Sequence, residues 1–365
     1  MQSLLGMVTV MGNWDLLAGL EVRIDGYDLE GRTRIIHHDF NRMTSTFVLH
    51  GGGEEGRGED VCYWPTVQQG QLDRGPYLPL EGTFTLAEFS EHVAGLDLFP
   101  TPPHFPADDL NYRRWALESA AADLALRQAG TTLHELLGLT LEPVRFVVSF
   151  SLGEPPSLEP ITRRLASYPD LRFKLDAVPA WQRDGEKLIE ALADSGRLDA
   201  VDFKGTYKGT PVDVETVPEF YRRCAEALPD VWLEDPDLTD PEADAALEPY
   251  RDRITWDEPI RSVADIEGLS FQPRALNLKP SRFGSWQELF ATYEYCDRES
   301  IALYGGGQTE LSVGRGQNQL LAAMFHPDAP NDVAPPGYDR DDFPERGLEP
   351  SPLEPRPEVT GFRRA

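Results

Sequence analysis

The sequence predicts an α/β protein, with a (β/α)8 barrel placed after a smaller α+β domain. Three observations carry that expectation. The second half alternates short apolar runs with amphipathic helical stretches, one pair every two to three dozen residues or so, which is the spacing of a parallel βα array. The first half shows closely spaced β runs and one long helix, the style of a separate, smaller unit. Charged residues recur at the ends of the second-half runs, where a barrel keeps its chemistry.

In chain order, residues 20–24, 34–36 and 45–49 read as strands, with turns at Gly51, Gly52 and Gly53. Residues 112–130 read as a helix. Its small side chains Ala116, Ala120, Ala121, Ala122 and Ala125 suit close packing, and Gly130 stands where a C-terminal cap belongs. The barrel strands are expected at 144–152, 171–177, 200–205, 231–233, 254–256, 275–278 and 301–304, with a weaker last one at 332–334. Helical patterns at 186–195 and 217–228 lie between them. A doubly wound open sheet would carry a Gly-rich phosphate turn after its first strand, and Ser151-Leu152-Gly153-Glu154-Pro155 is not one. After Pro330 the chain turns proline-rich and acidic and reads as an extended tail.

At 40.8 kDa the chain can bury a sizeable core in one large domain or two. Its net charge of −28 offers no basic footprint for nucleic acid. The same charge repels anions at long range, so a carboxylate substrate needs local cations or a metal. No run approaches the length of a membrane span, and residues 1–17 lack the basic flank of a signal peptide. Cys62, Cys224 and Cys296 are odd in number and without metal-ligand spacing, which suits a reducing cytoplasm. No nucleic-acid or membrane partner is expected, and the chain is compatible with a homo-oligomer.

Five lysines stand against twenty-nine arginines, and Lys174, Lys204, Lys208 and Lys279 fall in apolar-flanked runs. Arginine stays protonated, whereas a desolvated lysine can lose its proton and act as a base. The strand ends read, in order, Lys174 and Asp176, Asp202 and Lys204, Glu234, Asp257, and Lys279. Residues two apart on a strand share a face, so Lys174 with Asp176, and Asp202 with Lys204, can point inward together. Asp202, Glu234 and Asp257 come from three consecutive strands, and three oxygen donors on one point suit Mg²⁺. Lys174 and Lys279 lie four strands apart, on opposite sides of the mouth. Charged residues at five successive strand ends are costly to bury without a purpose.

Other motifs carry less. No Gly-x-Ser-x-Gly elbow supports serine hydrolase chemistry. The glycine-rich stretch 51–58 lacks the ending of a phosphate loop. His37, His38 and His50 are read as surface or core residues, and the acidic stretch 235–244 as a solvated loop and helix start.

Glu234-Asp235-Pro236, Asp257-Glu258 after 23 residues, and Lys279-Pro280-Ser281-Arg282-Phe283-Gly284 after 22 more resemble the enolase superfamily, closest to its muconate-lactonizing and o-succinylbenzoate-synthase-like branch. The run from Gly305-Gly306-Gly307-Gln308-Thr309-Glu310 through Val313-Gly314-Arg315 is similar to that family's seventh-strand segment. Gly56-Arg57-Gly58-Glu59 and residues 116–137 are similar to pieces of its capping domain. The resemblance implies a modified (β/α)8 (TIM-like) barrel at 141–334 with an α+β N-terminal capping domain at 1–140. The tail, 335–365, would pack on the cap. It further implies Mg²⁺ held by Asp202, Glu234 and Asp257, and abstraction of a proton next to the carboxylate of a small-molecule substrate. Lys279 takes the place of the sixth-strand base. The branch includes cycloisomerases, racemases and dipeptide epimerases as well as o-succinylbenzoate synthases.

The sequence departs from that pattern at two places. Asp176 stands where the branch has the second lysine of Lys-x-Lys, and Lys204 where it has the asparagine of Asp-x-Asn. The 32 residues from Asp202 to Glu234 are also a long interval. One reading is an exchange in which Lys204 reaches the space vacated on strand two while Asp176 balances its charge. Another aligns Asp176 with the third-strand ligand and leaves one strand too many. The expected function is a Mg²⁺-dependent carbon-acid enzyme, an isomerase or lyase acting on a carboxylate. Lys279 serves as base or cation stabiliser, with Lys174 or Lys204 opposite it, and Glu310 as acid or orienting residue. The alternative is a barrel that has lost catalysis and serves as a binding or structural protein.

Overall fold

A computed structural model of the protein describes residues 12–37, 40–99, 103, 105–182 and 187–365. The first eleven residues and His38 therefore lie outside the described residues.

The N-terminal unit opens with a short helix, α1 (Asn13–Ala18). A three-stranded antiparallel sheet follows, made of β2 (Gly26–His37), β3 (Phe40–Gly51) and β4 (Glu54–Asp60), while β1 (Glu21–Ile24) pairs with β5 (Gly82–Thr85). Helices α2 (Pro65–Arg74), α3 (Leu86–Ala94), α4 (Pro106–Ala129) and α5 (Leu133–Leu137) complete it. The alanines of α4 do what their size suggested. They let the helix lie directly on β4, where Gly56 and Gly58 face it, and a Cβ on either glycine would overlap the backbone at Ala116 and Ala120. Such an overlap is relieved only by shifting helix from strand, a cost of several kcal/mol. Gly130 ends α4 at φ 69, a left-handed cap that a glycine adopts without a Cβ penalty.

The barrel runs β6 (Val148–Ser151), α6 (Glu159–Ser167), β7 (Phe173–Asp176), α7 (Lys187–Ser195), β8 (Leu198–Asp202), α8 (Pro218–Ala227), β9 (Trp232–Glu234) and α9 (Pro241–Leu247). It continues with β10 (Ile254–Thr255), α10 (Val263–Glu267), β11 (Ala275–Leu278), α11 (Pro280–Phe283), α12 (Trp286–Arg298), β12 (Ala302–Gly305) and α13 (Val313–Phe325). Strands β6 to β10 pair in parallel in chain order, β11 pairs in parallel with β12, and the Asn277 amide donates to Trp256 O across the gap between the two groups.

The expected eighth strand at 332–334 is not a strand. Asn331 forms a parallel bridge with Phe146, and the Asp332 amide donates to Gly305 O at 2.7 Å, so one short segment closes the barrel between β12 and β6. Its side chain replaces the missing ladder. Asn331 Oδ1 accepts from the Gly305 amide at 2.6 Å and bonds His326 Nδ1 at 2.6 Å, and its Nδ2 donates to the carbonyls of Arg145, His326 and Ala329.

The tail packs on both units. Tyr338 is buried against Phe146 and Tyr168 of the barrel, Leu353 bridges Val144, and Gly361 bridges Thr132 beside Asp123 of α4.

Candidate active site

The C-terminal ends of the barrel strands hold three of the four non-glycine residues with a left-handed backbone among those described: Lys204 (φ 53), Asp235 (φ 48) and Thr309 (φ 55). Backbone of this kind costs on the order of 1–3 kcal/mol per residue and persists where the surroundings over-determine it. All three lie at the mouth, so the strain is concentrated where side chains must be aimed.

Asp202 ends β8, Glu234 ends β9 and Asp257 follows β10. All three are fully buried, and each offers a carboxylate oxygen within 4.8 Å of the others. Each is met by a lysine. Lys174 of β7 bonds Glu234 and stands 3.8 Å from Asp202 Oδ2, Lys204 bonds Asp202, and Lys279 Nζ lies 2.7 Å from Asp257 Oδ2.

Electrostatics separates the three acids. Burial raises the Glu234 carboxyl above the usual carboxylate range, and Lys174 only partly offsets it. Burial also works against ionisation of Asp202 and Asp257. There the cations win: Lys204 and Lys174 hold Asp202 below its ordinary value, and Arg282 and Lys279 do the same for Asp257. Asp257 Oδ1 is buried without a hydrogen-bond partner, with Arg282 Nε 3.5 Å away. An acceptor left open beside two other carboxylates fits a hard divalent cation, which binds through oxygens. The triad is a candidate divalent metal site.

Lys279 caps α11 directly after β11. All four residues of β11 are buried, Leu276 and Leu278 together with Ala275 and Asn277, as in a strand covered on both faces. Its side chain passes Gly306, where a Cβ would stand 2.9 Å from Lys279 Cε and 2.6 Å from Asn277 Oδ1. Glycine is needed there for space.

A cavity of about 890 Å³ opens over this mouth. Lys204, Lys279, Asp176, Glu310 and Asp332 line it, and Phe40, Tyr63 and Phe150 give it an aromatic wall. Lys174 is not among its lining residues. At 2% exposure it sits beneath the carboxylates, so the two lysines that line the cavity are Lys204 and Lys279. Lys204 is not a strand residue sharing the parity of Asp202, because β8 stops at Asp202. The left-handed turn after it brings Lys204 Nζ to 3.4 Å from Asp176 Oδ1 on the neighbouring strand. Burial works against its charge, yet Asp176 and Asp202 hold Lys204 protonated well above a lysine's usual range. Glu310 accepts from the Gln308 amide at 2.5 Å and from Asn318 Nδ2 at 3.0 Å, and pairs with Arg315 at 3.0 Å.

Several residues of the site carry no signal that the strand-end pattern could register. Tyr304 OH donates to Glu234 Oε2 at 2.5 Å, and Asn277 Nδ2 reaches both Glu234 oxygens at 3.3 Å. Tyr207 OH donates to Asp257 Oδ2 at 3.2 Å and accepts from Arg282 at 3.1 Å. Asp235 accepts from the amides of Asp257 and Glu258, both at 2.9 Å, and so fixes the end of β10. Adjacency to Glu234 and Lys279 was the available clue for Asp235 and Arg282, since both sit inside the quoted motifs.

Two family profiles match the chain: "Domain of unknown function (DUF8230) N-terminal domain" over residues 15–136, and its "C-terminal domain" over residues 140–340. The chain belongs to the DUF8230 family. This DUF8230 protein is 26% identical over 232 residues to the o-succinylbenzoate synthase of Listeria innocua, a match covering 60% of this chain and 58% of that one. The chain spans about three fifths of the length of the curated relatives it matches. Among solved structures, the muconate lactonizing enzyme from Pseudomonas putida superposes with a TM-score of 0.60 at 18% identity, over 86% of this chain and 88% of that one. A dipeptide epimerase from Methylococcus capsulatus, complexed with a Mg ion, gives 0.61 at 18% over 84% and 89%. The DUF8230 fold is thus that of the enolase superfamily, a capping unit on a (β/α) barrel. The resemblance to its muconate-lactonizing and o-succinylbenzoate-synthase-like branch holds.

Proposed function

We propose that this protein is a Mg²⁺-assisted carbon-acid enzyme that removes the proton α to a substrate carboxylate, an isomerase or lyase of the enolase superfamily. The observation that carries the reading is one cavity lined by two lysines, Lys204 and Lys279, above three converging buried carboxylates.

Asp202, Glu234 and Asp257 would hold the metal. Bound there, it supplies Lewis-acid stabilisation of the negative charge that develops on the substrate carboxylate. Carboxylates engaged with a divalent cation no longer serve as counter-ions for Lys279, which favours the neutral amine a base requires, whereas Lys204 would lose Asp202 but keep Asp176 beside it. Lys279 takes or returns the α proton on one side. Lys204, three strands away around the barrel, does so on the other. Glu310, held by Arg315, orients the substrate on the seventh-strand side, and the aromatic wall excludes water. Return of the proton gives racemisation or epimerisation, and loss of a neighbouring group gives elimination. Three free, buried cysteines accord with a reducing cytoplasm.

The test is incubation with Mg²⁺ in deuterated water against mandelate, an L-Ala-D/L-Glu dipeptide, o-succinylbenzoate and a muconate-derived lactone, read by mass spectrometry. Incorporation of one deuteron into any of them, abolished by EDTA, is the expected result. One observation favours the second reading, a binding or structural barrel. Each carboxylate already has a lysine, as in a closed ion-pair network. Crystals soaked in Mn²⁺ that show no ion among the carboxylates would favour that reading instead.

A further inference from the structure

Two buried charges of the capping sheet hold the loop between β12 and α13 from its two ends. Arg42, on β3, has no exposed surface and directs its hydrogen bonds to main-chain carbonyls. It donates to Val61 O at 2.6 Å, Cys62 O at 2.9 Å and Met43 O at 3.1 Å within the cap. Across the interface it donates to Gln308 O at 2.9 Å and Thr309 O at 3.3 Å. Its guanidinium lies over the Tyr63 ring, whose hydroxyl donates to Gln308 Oε1 at 2.8 Å. Glu59, on β4, does the converse. It accepts from the amide of Leu311 at 2.6 Å, just before α13, and from those of Ser312 at 2.9 Å and Gly314 at 3.0 Å, donors left open at the helix start.

Glu310 is the residue between these two grips. A cation takes the carbonyls just before it and an anion takes the amides just after it. The left-handed Thr309 makes the bend between them, and the Glu310 side chain lines the cavity beside Arg315. Neither Arg42 nor Glu59 lines the cavity. We propose that Arg42 and Glu59 are positioning residues of the active site, which fix Glu310 through the polarity of its own loop. The capping unit then contributes to the rate without touching the substrate. This rests on the reading of Glu310 as a working residue of the proposed reaction.

A double-mutant cycle separates positioning from general support, because residues that act through one group do not add. Glu59→Gln keeps the shape and one acceptor but sets an NH2 against backbone donors. With the carboxylate that the wild type exchanges, Glu59→Gln should lower kcat about 10- to 100-fold, the usual cost of a misplaced catalytic group, with KM nearly unchanged. Glu310→Gln should give a similar loss, and Glu59→Gln/Glu310→Gln should be no slower than Glu310→Gln alone. Arg42→Lys should retain more of kcat than Arg42→Met. A double variant showing the product of the two single losses, or a wild-type kcat in Glu59→Gln, would overturn the proposal. Amide hydrogen exchange tests the clamp without any substrate. In Glu59→Gln, Leu311, Ser312 and Gly314 should exchange at least tenfold faster while β6 to β11 keep their rates. Unchanged exchange there refutes the clamp, whereas faster exchange in a protein that turns over no carboxylate refutes only the proposed reaction.

Discussion

Lys204 Nζ stands 3.4 Å from Asp176 Oδ1, so the cation after β8 and the anion ending β7 face each other across neighbouring strands. The structure thus sets Lys204 beside the acid of the neighbouring strand, the proximity that an exchange of the two positions requires.

If the exchange of positions is functional, reversing it should restore function. Lys204→Met should lose at least a hundredfold in deuterium exchange from the enantiomer whose α proton faces Lys204. Asp176→Lys/Lys204→Asn should recover much of it, since asparagine tolerates the left-handed backbone at that position. Rates for the double variant no better than for Lys204→Met, with folding intact by circular dichroism, would count against it.

Metal binding should be visible as stability. A ligand at a hundred times its Kd raises folding stability by about 2.7 kcal/mol, so Mg²⁺ should raise Tm by several degrees and EDTA should reverse the gain. Asp202→Asn should remove most of that increment. An equal Mg²⁺ response in this variant would place the metal elsewhere.

Gly306→Ala tests the space around Lys279. The added Cβ would stand 2.6 Å from Asn277 Oδ1 and 2.9 Å from Lys279 Cε, so one or both must move. Activity should fall tenfold or more, with a Tm loss of only a few degrees, because Lys279 lines the cavity rather than packing in the apolar core. Wild-type kinetics would show that the position of Lys279 is not critical.

His326 sets a pH dependence at the barrel seam. Burial pushes it down to about 4, from an unfolded value near 6.5, so the folded protein holds it neutral. Below about pH 6.5 the unfolded chain binds a proton that the folded one refuses, and stability falls as pH drops toward 4. Between pH 7.5 and 5 that loss is about 2 kcal/mol. Urea unfolding at both values, with His326→Gln as the comparison, should show a flatter pH response in the variant. Parallel responses would remove His326 from the account.

The order of strands and the three acids were legible because a parallel barrel repeats, and its strand ends mark themselves with charge flanked by apolar residues. The place of the closing element was legible too, but not its form. Asn331 does its work through one side chain accepting from Gly305 and bonding His326, a contact with no periodicity to read. Lys204 was expected on a strand because Phe203 continues the apolar run, and only its positive φ shows that the chain has already turned. Lys174 read as a cavity residue from parity alone. Depth along the strand decides instead, and it places Lys174 one layer below the mouth. Tyr304 and Tyr207 were invisible for another reason: their hydroxyls meet Glu234 and Asp257 across the barrel, at a distance no local pattern encodes.

The most direct test of the proposed chemistry uses the two enantiomers of one carboxylate with an α stereocentre, in deuterated water with Mg²⁺. If Lys204 and Lys279 work from opposite sides, Lys204→Met should abolish deuterium incorporation from one enantiomer and Lys279→Met from the other, each leaving the second measurable. Undiminished exchange of both enantiomers in both variants, or exchange that survives EDTA, would contradict a metal-assisted reaction carried by these two lysines.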